Sequence, residues 1–296
     1  MKVFNFGSIN VDMVYRVPHL VQPGETLASR TLETVLGGKG ANQSVALARA
    51  GVEVHHIGRI GVSDQWATEQ MAAAGVGMEA VEQIEGPSGH AIIQVDDHGE
   101  NSIILHGGAN QSFNREVLEK QLAGAERGDW LLMQNECNDI EVAFDIAQKR
   151  GLAIAFNPAP MSDNVRQLPL ERCSVLIVNE TEALDLAETQ DADEALAVLA
   201  ERYPETRLVL TLGSKGALLQ HAGNQVREAA LPVKVVDTTG AGDTFVGYFL
   251  AGLIQGLDEP SALQRACRAA ALSVTVAGAT PSIPTISVVD RSQDNS

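Results

Sequence analysis

Apolar positions in the second half of the chain follow two alternating rhythms. Short β-prone runs at 130–133, 152–156, 175–178 and 207–212 are separated by helical patterns over Ile140–Arg150 and 181–187. Strands that alternate with helices in this way predict an α/β protein with a parallel sheet. The continuous apolar character of 207–212 fits a strand buried on both faces, and 241–252 fits a buried helix behind it. Residues 1–7 read as the first strand. Ligands of open parallel sheets bind beyond the carboxyl ends of the strands. Polar residues gather there: Asn157 after one run, Asn179 and Glu182 after the next, and 211–216 after a third.

Two regions break this alternation. Residues 12–17 and 27–36 are β-prone, and so are Gly89–Val95 and 101–105, the last two joined by Asp96-Asp-His-Gly-Glu100, a hairpin-turn composition. They predict a small separate sheet, over about 12–36 and 88–107, inserted in one domain that spans 1–296. Such a sheet serves as a water-excluding lid, an oligomer interface or both; the alternative is that these are edge strands of the main sheet. The acidic stretch 188–194 is expected to be a solvated loop and helix start, and the polar end from about Asp290 is expected to fray.

With 296 residues, 45% of them apolar, the chain can bury a large core. It contains no run of 18 uncharged apolar residues, and its first residues read as a strand and not as a signal peptide, so a cytoplasmic location away from membranes is expected. Cys137, Cys173 and Cys267 are odd in number and widely spaced, which points to buried free thiols. The seven histidines show no metal-ligand spacing; His90 and His106 fall in the predicted small sheet, within reach of a substrate. A formal net charge of −17 argues against a nucleic-acid partner. It also means that a nucleotide site must rely on local groups such as helix N-termini, a metal, Lys39 and Lys215.

Candidate chemistry centres on Asp237-Thr-Thr-Gly-Ala-Gly-Asp-Thr-Phe245. Gly240, Ala241 and Gly242 form a turn that opens an apolar helix, where converging backbone N–H groups and the helix dipole make an anion cradle. Asp243 follows at once. An acid beside such a cradle suits phosphoryl transfer, taking a proton from an attacking hydroxyl while the N–H groups hold charge on the phosphoryl oxygens. The residues alone leave an ordinary acidic helix start open. A second glycine-rich turn, Gly37-Gly-Lys-Gly-Ala-Asn-Gln43, precedes a helix that ends at Gly51. It is neither a P-loop nor a dinucleotide fingerprint; Lys39 and Asn42 offer donors suited to a polyhydroxylated molecule, although a plain helix-entry turn is the alternative.

Several ordered blocks carry a family likeness: Gly7-Ser-Ile-Asn-Val-Asp12, Pro23-Gly-Glu25, Gly37 to Gln43, Met133-Gln-Asn-Glu136, Asn157-Pro-Ala-Pro160, Asn179-Glu-Thr-Glu182, Thr211-Leu-Gly-Ser-Lys-Gly216 and Asp237 to Phe245. Over nearly its whole length the chain resembles the ribokinase-like carbohydrate kinases, the phosphofructokinase-B family. The resemblance implies a three-layer α/β/α domain with a mainly parallel sheet and a small β-sheet lid. It implies an ATP-dependent transfer to the primary hydroxyl of D-ribose, with Asp243 as base and Gly240, Ala241 and Gly242 as the anion hole. Asn10, Asp12, Gly38, Lys39, Asn42 and Glu136 would bind the sugar. Asn179, Glu182, Thr211, Gly213 and Gly216 would serve the nucleotide, with Glu182 holding magnesium through water. Asp237, Thr239, Gly278 and Ser282 match a potassium site, and the lid sheet would make a homodimer. Thr239-Gly240, Asn135 and the compact 75–78 segment depart from the family pattern. They leave open the same chemistry on another sugar, deoxyribose or a nucleoside, and a non-catalytic sugar or nucleotide sensor.

Overall fold

The computed structural model describes residues 1–293. The chain opens with β1 (Val3–Phe6), β2 (Asn10–Arg16) and β3 (Thr31–Gly37), then α1 (Lys39–Arg49), β4 (Val54–Gly61), α2 (Gln65–Ala73) and β5 (Gly77–Ile84). The hairpin β6 (Gly89–Val95) and β7 (Asn101–His106) leads into α3 (Arg115–Gln121). Next come β8 (Trp130–Gln134), α4 (Ile140–Arg150), β9 (Ala153–Asn157), β10 (Val175–Asn179), α5 (Glu180–Ala187), α6 (Ala192–Arg202) and β11 (Arg207–Thr211). The hairpin β12 (Ala217–His221) and β13 (Asn224–Glu228) precedes α7 (Ala241–Ile254), α8 (Glu259–Ser273) and α9 (Ile286–Gln293).

The main sheet runs β13-β12-β11-β10-β9-β8-β1-β4-β5, parallel except where β12 and β13 close one edge. Its strands read as unbroken apolar runs because both faces are covered. Leu208 and Leu210 face one helical layer with Phe144, Leu186 and Leu196, whereas Val209 faces the other with Val45, Phe249 and Leu263. Each fully buried Leu or Phe contributes about 1.5–3 kcal/mol. The expected three layers are thus present. From β1 the chain winds first toward β5 and then, beginning at β8, toward β11, so the topological switch point lies between β1 and β8.

The β-prone insertions form a sheet of their own, ordered β3-β2-β6-β7, and are not edge strands of the main one. Asp96 closes the β6–β7 turn, its Oδ1 accepting the N–H groups of His98 at 2.8 Å and Glu100 at 2.9 Å. Strand β7 is exposed along its whole length, and Leu32, Val35, Ile103, Ile104 and Leu105 stand bare. His90 and His106 pair across β6 and β7 with ring centroids 4.9 Å apart.

The end of the chain differs from expectation. Helix α9 continues beyond Asp290 to Gln293, because Val289 is buried and anchors its last turns; 294–296, where fraying was also expected, lie outside the described residues. All three cysteines are buried and free; burial pushes the Cys267 thiol up to about 12, and a nearby glutamate, Glu228, adds to the rise. Among the described residues, no helix is long and apolar enough to cross a membrane.

Candidate active site

Helix α1 begins where β1 gives way to β2, and the two touch so closely that no side chain fits between them. A Cβ on Gly40 would lie 2.4 Å from the Ser8 nitrogen and 2.6 Å from the Gly7 Cα, while the Ala41 N–H donates to the Ser8 carbonyl at 2.9 Å. This packing sets Lys39, Asn42 and Gln43 against the carboxyl ends of β1 and β8, at the switch point.

Helix α7 meets them from the other side. Gly240 takes the left-handed conformation with φ 74° at its N-cap, and a Cβ there would lie 3.0 Å from the Ala279 Cβ. The Ala241 N–H turns back to the Thr238 carbonyl at 3.2 Å, so one group of the predicted cradle is already engaged. The N–H groups of Gly242 and Asp243 meet no acceptor among the described residues, and a Cβ on Gly242 would meet open space. The open donors therefore sit one residue further into the helix than the Gly-Ala-Gly turn suggests.

Asp243 is buried, with its carboxylate gripped at both oxygens: Gln43 Nε2 donates to Oδ1 at 2.9 Å and Asn42 Nδ2 to Oδ2 at 3.0 Å. Burial raises its pKa above the ordinary aspartate value; Lys39 and the two amides oppose the rise and Glu136 adds to it. Asn42 accepts in turn from Thr280 Oγ1 at 2.9 Å, so only one of its N–H groups remains for a ligand.

The other expected sugar ligands converge on Glu136. Its Oε2 accepts from the Ser8 hydroxyl and from the Lys39 N–H at 3.0 Å. Burial, reinforced by Glu136, raises the Asp12 pKa to about 6. Asp12 lies over Gly37, where a Cβ would come within 2.0 Å of its carboxylate. Asn10 is buried and accepts from Asn110 Nδ2 at 2.7 Å. Gly38, with φ 93°, closes the turn beneath Ser8 and Asn10.

A cavity of about 150 Å³ opens between these groups and the ends of β9, β10 and β11. Lys39, Asp243, Gly240 and Gly242 line one side, and Asn179, Glu182 and Thr211 the other. Asn179 and Glu182 form a capping box on α5: Asn179 Oδ1 accepts the Glu182 N–H at 2.8 Å, and Glu182 Oε2 accepts the Asn179 N–H at 2.9 Å. Gly213 and Gly216 lie beyond the cavity lining. Gly216 has a packing reason of its own, since a Cβ would meet the Glu228 carbonyl at 2.0 Å. Lys215 stays at the exposed rim, 3.9 Å from Glu180, and leaves Lys39 as the cation of the cavity wall. A larger cleft of about 460 Å³ between Trp130, Arg207 and Pro260 lies at the amino ends of the strands, away from every one of these groups. The smaller cavity carries the converging polar groups and is the chemical site.

The model of pfkB family carbohydrate kinases matches residues 1–286. The chain belongs to the pfkB family. Carbohydrate kinases of this family are phosphotransferases, and among its relatives the ribokinase of Haemophilus influenzae is 38% identical over 292 residues, covering 94% of each chain. Two solved structures share the fold over nearly all of both chains. Ribokinase from Cryptococcus neoformans in complex with ADP superposes with a TM-score of 0.87 at 34% identity, covering 98% of this chain and 99% of that one. Ribokinase from Arabidopsis thaliana complexed with ribose and ATP gives 0.85 at 29% identity, covering 98% and 97%.

The residues expected at a cation site in this pfkB kinase also come together. Asp237 Oδ1 accepts from the Thr239 N–H at 2.9 Å and from its hydroxyl at 2.7 Å, and Oδ2 accepts the Gly278 N–H at 2.8 Å. Burial pushes its pKa up, but these bonds, with Arg16, outweigh it and hold the carboxyl below the usual range. Ser282 turns its hydroxyl to the Ala279 carbonyl at 2.7 Å, which closes the second loop.

Other buried polar residues near the site received no role from the sequence, although Gln134 lies inside the block from Met133 to Glu136. Asn5, Gln134 and Asn110 are buried, and each bridges segments 100 or more positions apart in one of its bonds. Their signal is faint: single amides inside or beside apolar runs, where burial requires a partner.

Proposed function

We propose that this kinase transfers the γ-phosphoryl group of ATP to the primary hydroxyl of D-ribose, giving ribose 5-phosphate and ADP. The observation that carries the reading is Asp243, a buried carboxylate with raised proton affinity beside two open N–H groups at a helix N-terminus. Likeness to ribokinases along nearly the whole chain supports ribose as acceptor.

On this reading Asn10, Asp12, Gly38, Lys39, Asn42 and Glu136 hold the sugar. The Asn10 Oδ1 is engaged by Asn110, so Asn10 offers its N–H groups, while ionised Asp12 accepts from hydroxyls. Asp243 takes the proton of the attacking hydroxyl. The O–H pair then forms the bond to the γ-phosphorus, the bond to the β–γ bridging oxygen breaks, and ADP leaves. Charge on the equatorial oxygens meets the Gly242 and Asp243 N–H groups and the positive end of α7, with Gly240 and Ala241 shaping the turn that aims them.

Asn179, Glu182, Thr211, Gly213 and Gly216 serve the nucleotide. Magnesium, when bound, neutralises phosphate charge, and Glu182 would hold it through water. That fits a site where one Glu182 oxygen caps the helix and the other is left for the cavity, because magnesium keeps most of its water shell. Asp237, Thr239, Gly278 and Ser282 would hold potassium behind Gly240. The fit rests on two loops already joined by the Asp237 carboxylate.

We read residues 1–296 as one domain in which the small sheet acts as lid, delivering Asn10 and Asp12 from β2. Bare Leu32, Val35 and Ile103 to Leu105 support a homodimer through it. Sedimentation velocity should then give a dimer; a monomer at micromolar concentration removes that part. Free buried thiols and ATP as donor support a cytoplasmic location.

The function is tested with ATP and a panel of ribose, deoxyribose, fructose and nucleosides, following ADP release. Ribose is expected to show the highest kcat/KM, and its affinity to rise as pH increases through about 6, where Asp12 ionises. A higher kcat/KM for another acceptor moves the assignment to that substrate. No ADP release with any of them supports the sensor.

A further inference from the structure

The two oxygens of Asp243 are not held alike. Gln43 is fully buried; its Nε2 donates to Asp243 Oδ1 at 2.9 Å and to Asn157 Oδ1 at 3.1 Å, and its Oε1 accepts from Gln134 Nε2 at 2.7 Å. Gln134 also donates to Asn5 Oδ1 at 3.0 Å. The run meets two backbone carbonyls: Asn5 Nδ2 donates to that of Gly40 at 2.8 Å, and also to the Ser44 hydroxyl at 2.8 Å, and Asn157 Nδ2 donates to that of Ile177 at 2.9 Å.

A carbonyl only accepts. The nitrogens of Asn5 and Asn157 must therefore face those carbonyls, and their oxygens must face Gln134 and Gln43. Gln134 must then donate to Gln43 Oε1, and Gln43 has one possible sense, with its nitrogen toward Asp243. Asn42, on the other oxygen, is held from behind by the hydroxyl of Thr280, which either donates or accepts. Ionised Oδ2 keeps the Asn42 nitrogen turned toward it, but once Oδ2 has taken a proton the Asn42 amide can turn and accept from it, the Thr280 hydroxyl reversing its role.

We propose that Gln43 is a positioning residue that anchors Oδ1 of Asp243 and so leaves Oδ2 as the oxygen that receives the sugar proton. This rests on the reading of Asp243 as the base. The amide bond on Oδ1 keeps the carboxylate plane from rotating and directs its remaining basicity to the oxygen on the Asn42 side. It is a chain of four amides, drawn from β1, β8, β9 and α1, that transmits the rigidity of the sheet to one carboxylate.

Gln43→Glu keeps the shape but sets a second acid against Asp243. The expected result is a kcat lower by about 10- to 100-fold at pH 7, an acidic limb of the kcat profile moved to higher pH by about one unit, and a sugar KM within about threefold of wild type. Gln43→Met, which keeps length without the donor, should lower kcat with a smaller movement of the limb. A merely structural role would lower Tm in both variants and leave kcat per folded molecule and the limb in place; that result overturns the proposal. If neither variant folds, Gln134→Leu decides. It retains Gln43 and the Asn157 bond that also sets its sense, but strips the donor from Gln43 Oε1 and so loosens the amide's hold on Asp243; a reduced kcat upholds the anchor and an unchanged one rejects it. Asp243→Asn, assayed alongside, separates the two claims. Activity retained there refutes the base, whereas activity lost there while the Gln43 variants keep the wild-type kcat and pH limb refutes the anchor alone.

Discussion

Asp243→Asn is expected to lower kcat by about 10²–10⁴-fold at pH 7, the range that a positioned general base supplies, with the sugar KM changed only a few-fold. The substitution keeps shape and removes the lone pairs that accept the proton. The fold accommodates it in one sense only. Gln43 cannot turn, so the new amide must keep its oxygen toward Gln43 and place its nitrogen toward Asn42. Asn42 can follow, because the Thr280 hydroxyl behind it reverses its role at no cost in bonds. The new NH₂ group then occupies the position from which Oδ2 would take the proton. Loss of the charge also relieves the desolvation that raises the Asp243 pKa, so the variant should fold at least as stably as the parent. Steady-state kinetics of ADP release, with thermal melts as the folding control, check both parts. A kcat within about threefold of wild type removes Asp243 from the chemistry.

Much of the scaffold could be read from the chain because its causes are local or periodic. Parallel strands covered on both sides must be apolar at successive positions, and the runs through Val175 to Val178 and Leu208 to Leu210 are that. Helix α4 coincides with its predicted bounds, Ile140–Arg150, because Gly151 in the left-handed region stops it. The glycine turns were visible for the same reason. Other details depend on contacts that no local pattern records. Gly216 looked like a nucleotide-loop glycine but is also required by the Glu228 carbonyl of β13. Asn179 and Glu182 looked like a ligand pair and are also a capping box, so the same two residues end a strand, start α5 and face the cavity. The amides around Asp243 were least legible. Gln134 is 91 residues from Gln43, and Gln43 is 200 residues from Asp243, so only the winding order of β1, β8 and β9 brings them together.

Net charge bears on the site in a way that composition only hints at. The protein carries −17 overall and places Asp12, Glu136, Glu182 and Asp243 around one site, yet its donor substrate is a polyanion. Burial and mutual repulsion raise the pKa values of Asp12, Glu182 and Asp243, which makes them better proton acceptors at the cost of folding stability. For an acid whose folded pKa exceeds its unfolded one, that cost is absent below the unfolded value and grows as pH rises toward the folded value. Between about pH 4 and 6, then, Asp12 alone should make the empty protein less stable as pH increases. The site is held against this tendency by the Lys39 ammonium and by the backbone N–H groups that meet Glu136 and Glu182.

Lys39→Met should therefore be the second most damaging change, reducing kcat/KM by about 10²-fold. Burial pulls the Lys39 pKa down, but Asp243, Glu136 and Glu182 together outweigh it and hold the ammonium above its ordinary value, fully charged at neutral pH. At an effective dielectric near 20, one charge a few ångströms from another is worth roughly 3 kcal/mol, about two decades in rate or affinity. Methionine keeps the apolar stem and the packing of α1 against β1, which depends on Gly40 and on the Lys39 backbone N–H to Glu136. What changes is the field. Without the ammonium, Asp243 and Glu182 lose the group that lowers their proton affinity, so the acidic limb of the kcat profile should move to higher pH. The KM for ATP should rise, because its phosphates would face a wall of carboxylates. Full pH profiles of kcat and of both KM values test this. A variant with an unshifted limb and a raised KM for sugar alone would show that Lys39 only grips the sugar and does not balance the charge of the site.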